Sequence, residues 1–398
     1  MREHGYVREL CGPRPAVCRG SAHGGRVNLS VDRTLLLAWV CVLSLGVVMV
    51  ASSAMAMSTS FVVRHLVYLT MGLFCCLVVA TVPLRWWETG HRVAWVLAVG
   101  LCALVLIPGI GLEANGARRW IDLGVFTLQA SELAKFFVLI YLAGYLARFS
   151  EMLGDSITVL LRPLCMVAVV AALLLAEPDF GASVVLGSTA VGMLFVAGAK
   201  LRHFLLLTSL VAVAFALLVV LQPYRWQRIV SFTDPWAFAY GSGYQLTQAL
   251  IAFGRGELTG LGLGEGIQKL FYLPEAHNDF IFAVIAEELG LLGALAVVGL
   301  FALLILRVLR TARTALEERR LFAGFLVYGV GLLLALQCLI NFGVNTGVLP
   351  TKGLTLPFVS YGGNSLLVSC ALVGLVLRAQ MESDPRQVAV RKARSRRG

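Results

Sequence analysis

The sequence predicts an all-α polytopic membrane protein with about ten transmembrane helices and one large extracytoplasmic loop between helices 7 and 8. Of its 398 residues, 59% are hydrophobic and only 14% are charged, and the mean hydropathy is +0.83. Ordinary water-soluble domains are far less apolar than this. A helix needs about 20 mostly apolar residues to cross a bilayer core, and a window of that length finds ten candidate spans.

The candidate spans follow one another through short connections, with one exception. The predicted spans are 34–55, 64–83, 93–110, 130–148, 158–176, 181–199, 203–222, 279–306, 321–342 and 361–380. The connection 223–278 is far longer than packed helices require, and loops of this length are usually functional. We therefore divide the chain into a basic tail 1–33, a membrane domain 34–380 that contains this loop, and a second basic tail 381–398.

The net charge of +11 could indicate a nucleic-acid partner, but the placement of the positive residues favours a membrane topology. With a cytoplasmic N-terminus, most of the 33 lysines and arginines fall in segments that face the cytoplasm. This is the positive-inside pattern, so we expect both termini to be cytoplasmic and no nucleic acid to bind. The first 33 residues have no apolar core or cleavage site, and we interpret them as a retained tail.

Ionisable residues within membrane helices, or at their ends, are candidate site residues because lipid makes them costly. Asp279 stands where the large outer loop enters helix 8, within reach of both water and a lipid headgroup. We interpret it as a catalytic base, with an N-terminal helix cap as the structural alternative. Glu287 and Glu288 lie roughly 12 Å further along the same helix, where we expect buried hydrogen bonds to neighbouring helices.

A second ionisable pair begins helix 4. Glu132 and Lys135 are three residues apart, which puts them on one helical face where their charges can neutralise each other. The pair either orients helix 4 or forms the wall of a site near the outer membrane surface.

Two adjacent arginines, Arg118 and Arg119, are placed in an outer loop against the positive-inside bias. Guanidinium groups bind phosphate oxygens in bidentate fashion, so a pyrophosphate is a suitable partner. Salt bridges to Glu113 or Asp122 are the alternative.

Two further patterns predict no site. The glycine-rich stretch 254–266 has no preceding strand and no GK[ST] sequence, which argues against a nucleotide site. The nine cysteines form no CxxC or other metal-ligand spacing.

The amphipathic stretch 243–253 is predicted to lie in the plane of the membrane interface.

Seven segments together resemble the SEDS family of bacterial shape, elongation, division and sporulation proteins. They occur in the family's order, as Arg118–Trp120, Gln129–Lys135, Pro178–Gly181, Gly243–Gln245, Leu273–Phe282, Glu287–Gly290 and Ser360–Gly363. The stretch Pro350–Pro357 is similar to the division-type members, whereas elongation-type members usually have apolar residues where Thr351 and Lys352 stand.

The resemblance implies a peptidoglycan glycosyltransferase that polymerises lipid II in the bacterial inner membrane, at the division septum. It implies a class B penicillin-binding transpeptidase of the FtsI type and other divisome proteins as partners. Asp279 is the implied catalytic residue, acting as general base. The predicted substrate-binding residues are Glu132, Lys135, Arg118, Arg119, His277 and Lys352.

No residue is assigned as a metal ligand, and no cofactor is required, although a divalent cation (Mg²⁺ or Mn²⁺) could neutralise the leaving diphosphate. Three other functions stay open at this point: a lipid II flippase or transporter, an elongation-type polymerase, and a scaffold without catalytic activity.

Overall fold

The computed structural model describes residues 31–53, 59–114, 117–122, 124, 127–153, 157–351 and 353–383. Nearly all of the predicted basic tails 1–33 and 381–398 lies outside the described residues, and so does Lys352.

Within this part of the chain, thirteen α-helices and three short β-strands are present. The helices are α1 (Arg33–Ser53), α2 (Thr59–Thr81), α3 (Leu84–Thr89), α4 (His91–Leu106), α5 (Ala130–Phe149), α6 (Ile157–Ala176), α7 (Phe180–Val196), α8 (Leu201–Val220), α9 (Pro223–Thr233), α10 (Tyr244–Gly256), α11 (Ile281–Glu317), α12 (Leu321–Asn345) and α13 (Gly363–Met381). The strands are β1 (Gly111–Ala114), β2 (Ala117–Asp122) and β3 (Thr127–Gln129).

Ten of these helices coincide with the ten predicted spans. Among the described residues, eight helices are long and apolar enough to cross a membrane, while α4 and α7 are shorter apolar helices. Helix α4 ends early because Ile107, which precedes Pro108, takes an extended conformation with ψ 123°, as residues before proline commonly do. The predicted multi-pass, all-α architecture is confirmed.

Burial divides the helices into a centre and a periphery. Helices α5 and α13 are buried on nearly every side, as expected of helices that are apolar all round. Helix α8 has a single buried residue, Leu207, and its remaining apolar surface is available to lipid. The core is therefore asymmetric, with α8 at its edge.

The outer connections contain more regular structure than the sequence predicted. Strands β1, β2 and β3 form an antiparallel sheet in that order, with Trp120 paired to Leu112 on one side and to Gln129 on the other. Helix α9 begins at Pro223, a favoured residue for the first helical position. Helix α10 covers the predicted amphipathic stretch 243–253. The large loop is thus largely folded.

Helix α11 is broken near its outer end. Gly290 has φ 69° and ψ −171°, a combination that essentially only glycine adopts. The break separates an outer segment, 281–289, from a long inner segment that crosses the membrane. Because Asp279 immediately precedes the outer segment, the break lies between the candidate base and the membrane span.

Candidate active site

Three consecutive main-chain carbonyls, those of residues 277–279, are held by donors from the far end of the chain. The Tyr361 N–H donates to the His277 carbonyl at 2.9 Å, and the Ser360 hydroxyl donates to the Asn278 carbonyl at 2.6 Å. Buried carbonyls in a turn need donors from elsewhere in the chain. The segment 354–361 supplies two of them.

Two buried asparagines of α12 hold the third carbonyl. Asn341 and Asn345 each donate through Nδ2 to the Asp279 carbonyl at 3.0 Å. Asn341 also donates to the Leu354 carbonyl at 2.7 Å, and Asn345 Oδ1 accepts the Ala283 N–H at 3.1 Å. We refer to the Asn341 and Asn345 amides, the Ser360 hydroxyl and the Tyr361 N–H as the carbonyl clasp.

The clasp holds the backbone of Asp279 and leaves its carboxylate for other partners. Within the described part of the chain, no hydrogen bond is formed by the Asp279 carboxylate. Phe280 occupies the position before the first helical residue of α11, and no side chain caps that helix. The helix-cap alternative for Asp279 is therefore wrong.

The charges around Asp279 balance each other in part. Burial raises the pKa of Asp279 to about 7, and the Glu275 carboxylate adds to the increase. The guanidinium groups of Arg228 and Arg119 lower the pKa, and Asp179 raises it slightly. Near neutral pH the carboxyl therefore exchanges its proton readily, which suits a general base.

The structure separates the two predicted phosphate-binding arginines. Arg118 turns outwards and pairs with Glu113 at 3.2 Å, as the salt-bridge alternative proposed. Arg119 turns inwards, because successive side chains of a strand point to opposite faces. Its Nε donates to the Glu177 carbonyl at 3.1 Å and its Nη2 to the Pro178 carbonyl at 2.7 Å. Of these two arginines, Arg119 alone is among the charges that shift the pKa of Asp279.

Arg228 is a site residue that the sequence did not single out. It lies on α9, and its Nη1 donates to the Thr351 carbonyl at 3.1 Å. Among the positive groups, its guanidinium lowers the pKa of Asp279 the most. The available signal was the same as for Arg119, a basic residue on the outer side of the membrane, but nothing in the sequence linked that position to Asp279.

Glu132 and Lys135 form the expected ion pair. Lys135 Nζ lies 2.8 Å from Glu132 Oε1, and the lysine and glutamate side chains are 1% and 10% exposed. The pair is absent from the charges that shift the pKa of Asp279. It is a separate polar feature of the outer end of α5.

His277 lies against aromatic rings. Its ring centroid is 5.5 Å from that of Phe61 and 5.6 Å from that of Tyr361. Burial lowers the pKa of His277, which favours the neutral imidazole. His277 thus lies two residues before Asp279 in the chain, and its ring packs in apolar surroundings.

A third carboxyl lies beside Arg119. Glu177 is fully buried, and neither side-chain oxygen has an N–H or O–H partner among the described residues. Burial raises the pKa of Glu177 to about 8, Asp179 raises it further, and the Cys102 thiol and Arg119 oppose these effects. Glu177 is thus held mainly in its neutral form, whereas Asp179 caps α7 through the Ala182 N–H at 3.1 Å.

The segment around Thr351 and Gly353 covers the carboxylate. A β-carbon placed on Gly353 would lie 3.1 Å from Asp279 Oδ2. The neighbouring predicted substrate-binding residue, Lys352, lies outside the described residues. The geometry therefore combines one titratable carboxylate with two arginines under a close-fitting strip of main chain.

A carboxylate with a pKa near 7 can accept a proton from a hydroxyl, and adjacent guanidinium groups can stabilise an anionic leaving group. Both capabilities meet at Asp279, Arg119 and Arg228, on the outer side of a membrane domain. Such a site suits a reaction in which a hydroxyl loses its proton and an anion leaves.

Comparison with known proteins finds relatives that are named as peptidoglycan glycosyltransferases. The chain is 48% identical over 365 residues to the probable peptidoglycan glycosyltransferase FtsW of Coxiella burnetii, covering 90% of this chain and 98% of the relative. It is 51% identical over 370 residues to the protein of the same name in Nitrosococcus halophilus, covering 91% and 95%.

Solved structures share the fold. A chain of a complex described as "Structural coordination of polymerization and crosslinking by a peptidoglycan synthase complex" matches with a TM-score of 0.74 and 30% identity, covering 90% of this chain and 100% of that one. The rod shape determining protein RodA of Thermus thermophilus matches with a TM-score of 0.65 and 28% identity, covering 89% and 99%. The cell cycle protein family FtsW/RodA/SpoVE matches residues 32–384, and the chain belongs to that family.

Proposed function

We propose that the chain is a peptidoglycan glycosyltransferase that polymerises lipid II into glycan strands for septal cell-wall synthesis. The single observation that carries the mechanism is the Asp279 carboxylate, clasped through its backbone and flanked by Arg119 and Arg228. The relatives named FtsW support the reaction class and the division-type assignment.

The reaction joins the C4 hydroxyl of one GlcNAc to the anomeric carbon of a lipid-linked donor. Asp279 takes the hydroxyl proton as the new C–O bond forms, and the bond from the anomeric carbon to diphosphate breaks. Undecaprenyl diphosphate leaves with the electron pair. Since the donor is α-linked and the product β-linked, a direct displacement inverts the anomeric centre.

One carboxylate is sufficient for this reaction. A glycosidase normally needs a second carboxyl to protonate its leaving alcohol, but diphosphate leaves as an anion that cations can stabilise. We assign diphosphate binding to Arg119, with Arg228 in place of Arg118, because both are among the charges that act on Asp279. A positioned base typically contributes roughly 10²- to 10⁴-fold to the rate.

The remaining predicted residues shape the surroundings. Glu132 and Lys135 would line the outer cavity, His277 would contribute an apolar wall, and Lys352 would add a positive charge next to Gly353. These four assignments follow from the family resemblance.

A divalent cation, Mg²⁺ or Mn²⁺, is an optional addition to this scheme. Among the described residues, no group of three or more His, Cys, Asp or Glu side chains is arranged to hold a metal ion. The residues do not fit a metal site built from protein alone, and no step is assigned to a metal.

The partner and location follow from the family. One structural relative is part of a peptidoglycan synthase complex that coordinates polymerization and crosslinking. We propose a class B penicillin-binding transpeptidase of the FtsI type as the partner, together with other divisome proteins. The chain would lie in the bacterial inner membrane at the septum, with both termini cytoplasmic.

Transport of lipid II is the second candidate. Transporters place their binding groups near the bilayer midplane, often on broken helices, and α11 is broken at Gly290. Asp279, Arg119 and Arg228 instead lie in the connections outside the membrane-spanning helices, just before α11, on β2 and on α9. Liposomes with fluorescent lipid II separate the two functions, because a flippase moves label between leaflets without forming polymer.

The decisive experiment is lipid II polymerisation by purified protein with its transpeptidase partner. Asp279→Asn should lower the rate roughly 10²-fold or more. Asp122→Asn is the matched control, since Asp122 is an exposed aspartate whose Oδ1 accepts the Gly124 N–H, the one hydrogen bond of its side chain among the described residues. Near wild-type polymerisation by Asp279→Asn would show the assignment to be wrong.

A further inference from the structure

The break in α11 is filled by another part of the chain. In a continuous helix the Leu291 and Leu292 N–H groups would donate to the Glu287 and Glu288 carbonyls. Here these N–H groups donate to the carbonyls of Glu257 and Leu258, at 2.9 and 3.1 Å. We refer to residues 257–269 as the insert.

The insert also satisfies the carbonyls on the other side of the break. The Leu261 N–H donates to the Glu287 carbonyl at 3.1 Å, and the Gly262 N–H donates to the Glu288 carbonyl at 3.0 Å. Two helical hydrogen bonds are thus replaced by four bonds to the insert. The carbonyls of Glu287 and Glu288 and the N–H groups of Leu291 and Leu292, which the break frees, thus all have partners.

The two glutamate side chains hold the rest of the insert. Glu287 accepts the Ile267 and Gln268 N–H groups at 3.1 Å each, and its carboxylate lies 3.3 Å from Arg255. Glu288 accepts the Gly264 N–H at 3.2 Å. Both glutamates therefore bind the insert, Glu287 through two backbone N–H groups and Glu288 through one.

Lys269 closes the insert with a buried ion pair. Its Nζ lies 2.6 Å from Glu288 Oε1, and the lysine and glutamate side chains are 1% and 0% exposed. The same Nζ donates to Ser52 Oγ at 2.9 Å and to the Gly264 carbonyl at 2.7 Å. Ser52 in turn donates to both Glu288 oxygens, at 2.6 and 2.7 Å. The end of α1, the insert and α11 meet at this ion pair.

The segment between Lys269 and Asp279 is anchored in part by Leu273 and Ala276, which are buried in the core. Leu270, Phe271 and Tyr272 are exposed, and Glu275 has φ 58° outside any helix. The segment is fixed at one end by Lys269 and at the other by the carbonyl clasp. Its course depends on both attachments.

We propose that Lys269 and Glu288 are positioning residues that keep the insert in the α11 break and thereby hold the Asp279 carboxylate at its place beneath Gly353. The inference rests on the proposed function of Asp279. Removing one member of a buried pair leaves an uncompensated charge, whereas removing both charges restores neutrality. The pair therefore offers a matched set of variants.

Polymerisation kinetics of Lys269→Met, measured over a range of pH, test the proposal. We expect kcat to fall roughly 10-fold with KM little changed, because a displaced base loses reactivity and leaves lipid II binding intact. A displaced Asp279 would be more exposed, so the acid limb of the pH profile should move down by roughly one pH unit. The double variant Lys269→Met/Glu288→Gln should return both quantities towards wild type.

The pH limb separates positioning from simple loss of folded protein. Loss of folded protein lowers the amplitude of the profile and leaves the limb in place, and that result would overturn the proposal. Arg313→Met, which removes an exposed pair with Glu317 near the other end of α11, should change neither quantity. If Lys269→Met gives no folded protein, Ser52→Ala removes one shared partner and should shift the limb in the same direction; an unshifted limb in Ser52→Ala would then overturn the proposal.

Asp279→Asn in the same series separates this inference from the proposed function. An active Asp279→Asn would remove the function on which the inference rests. An inactive Asp279→Asn combined with a wild-type profile for Lys269→Met would leave the function standing and reject the positioning role alone.

Discussion

Asp279 and Gly353 approach so closely that a β-carbon at position 353 would lie 3.1 Å from Asp279 Oδ2. This separation is tighter than an ordinary van der Waals contact between carbon and oxygen. Gly353→Ala should therefore displace the carboxylate or the strip that covers it. We expect kcat to fall roughly 10-fold, less than the ~10²-fold that a 1 Å displacement can cost. Steady-state polymerisation with a thermal melt as control would measure this, and an unchanged kcat would show that the site accommodates the methyl group.

Polymerisation should depend on the ionisation of Asp279. The base must be deprotonated, and burial raises the pKa of Asp279 to about 7. Activity should therefore rise with pH through about 7 and reach a plateau above it. Initial rates measured between pH 5.5 and 9 would locate the limb. A limb near the ordinary aspartate range would mean that the carboxylate is more exposed during turnover.

The two neighbouring arginines should differ sharply. Arg119→Gln removes a cation that lowers the pKa of Asp279, so the acid limb should move to higher pH as the rate falls roughly 10²-fold. Arg118→Gln loses only a half-exposed pair with Glu113 and should keep nearly full activity. Equal effects of the two substitutions would contradict the inward placement of Arg119.

The Glu132–Lys135 pair permits a test of stability against function. Lys135→Met leaves Glu132 buried without its cation, which should cost about 3–5 kcal/mol. The double variant Glu132→Gln/Lys135→Met should recover most of the thermal stability. Polymerisation by the double variant should stay low if the pair lines the substrate cavity. Recovery of both quantities would mean that the pair only supports α5.

Glu177 should make stability depend on pH. Its pKa is raised to about 8 in the folded state, so the folded protein retains a proton that the unfolded chain releases at lower pH. The free energy of unfolding should fall as pH rises from about 5 to 8, because ionising the buried carboxyl is unfavourable. Glu177→Gln is neutral at every pH and should melt higher than wild type at pH 8. Melting curves at pH 6 and pH 8 would measure this effect. If Glu177→Gln lost as much thermal stability between pH 6 and pH 8 as the wild type does, the effect would belong to another group.

The membrane spans could be predicted from sequence because the bilayer imposes one length and one polarity on each. The predicted span 321–342 and helix α12 (Leu321–Asn345) begin at the same residue. The ion pair of Glu132 and Lys135 could also be predicted from sequence, since i,i+3 spacing on a helix brings the two side chains close together. Both inferences depend on local geometry.

The arrangement around Asp279 required the tertiary structure. Arg228 is 51 residues away in sequence, and its approach depends on the folding of the large loop. The separation of Arg118 from Arg119 depends on a small sheet, where the sequence predicted an outer loop. The insert pairs residues across a helix break, and no periodicity in the sequence marks such pairing.

The carbonyl clasp has a consequence for how the site can change. Every amino acid carries the same main-chain carbonyl, so the clasp is indifferent to which side chains occupy positions 277–279. The chemical identity of the reactive group and its location are encoded in separate stretches of the gene, since Asn341 and Tyr361 stand 62 and 82 codons after Asp279. We therefore expect that a mutation in the codon for Asn341 or Asn345 can inactivate the enzyme while Asp279 itself is unchanged. A survey of inactive variants that examines Asp279 alone would miss such a mutation.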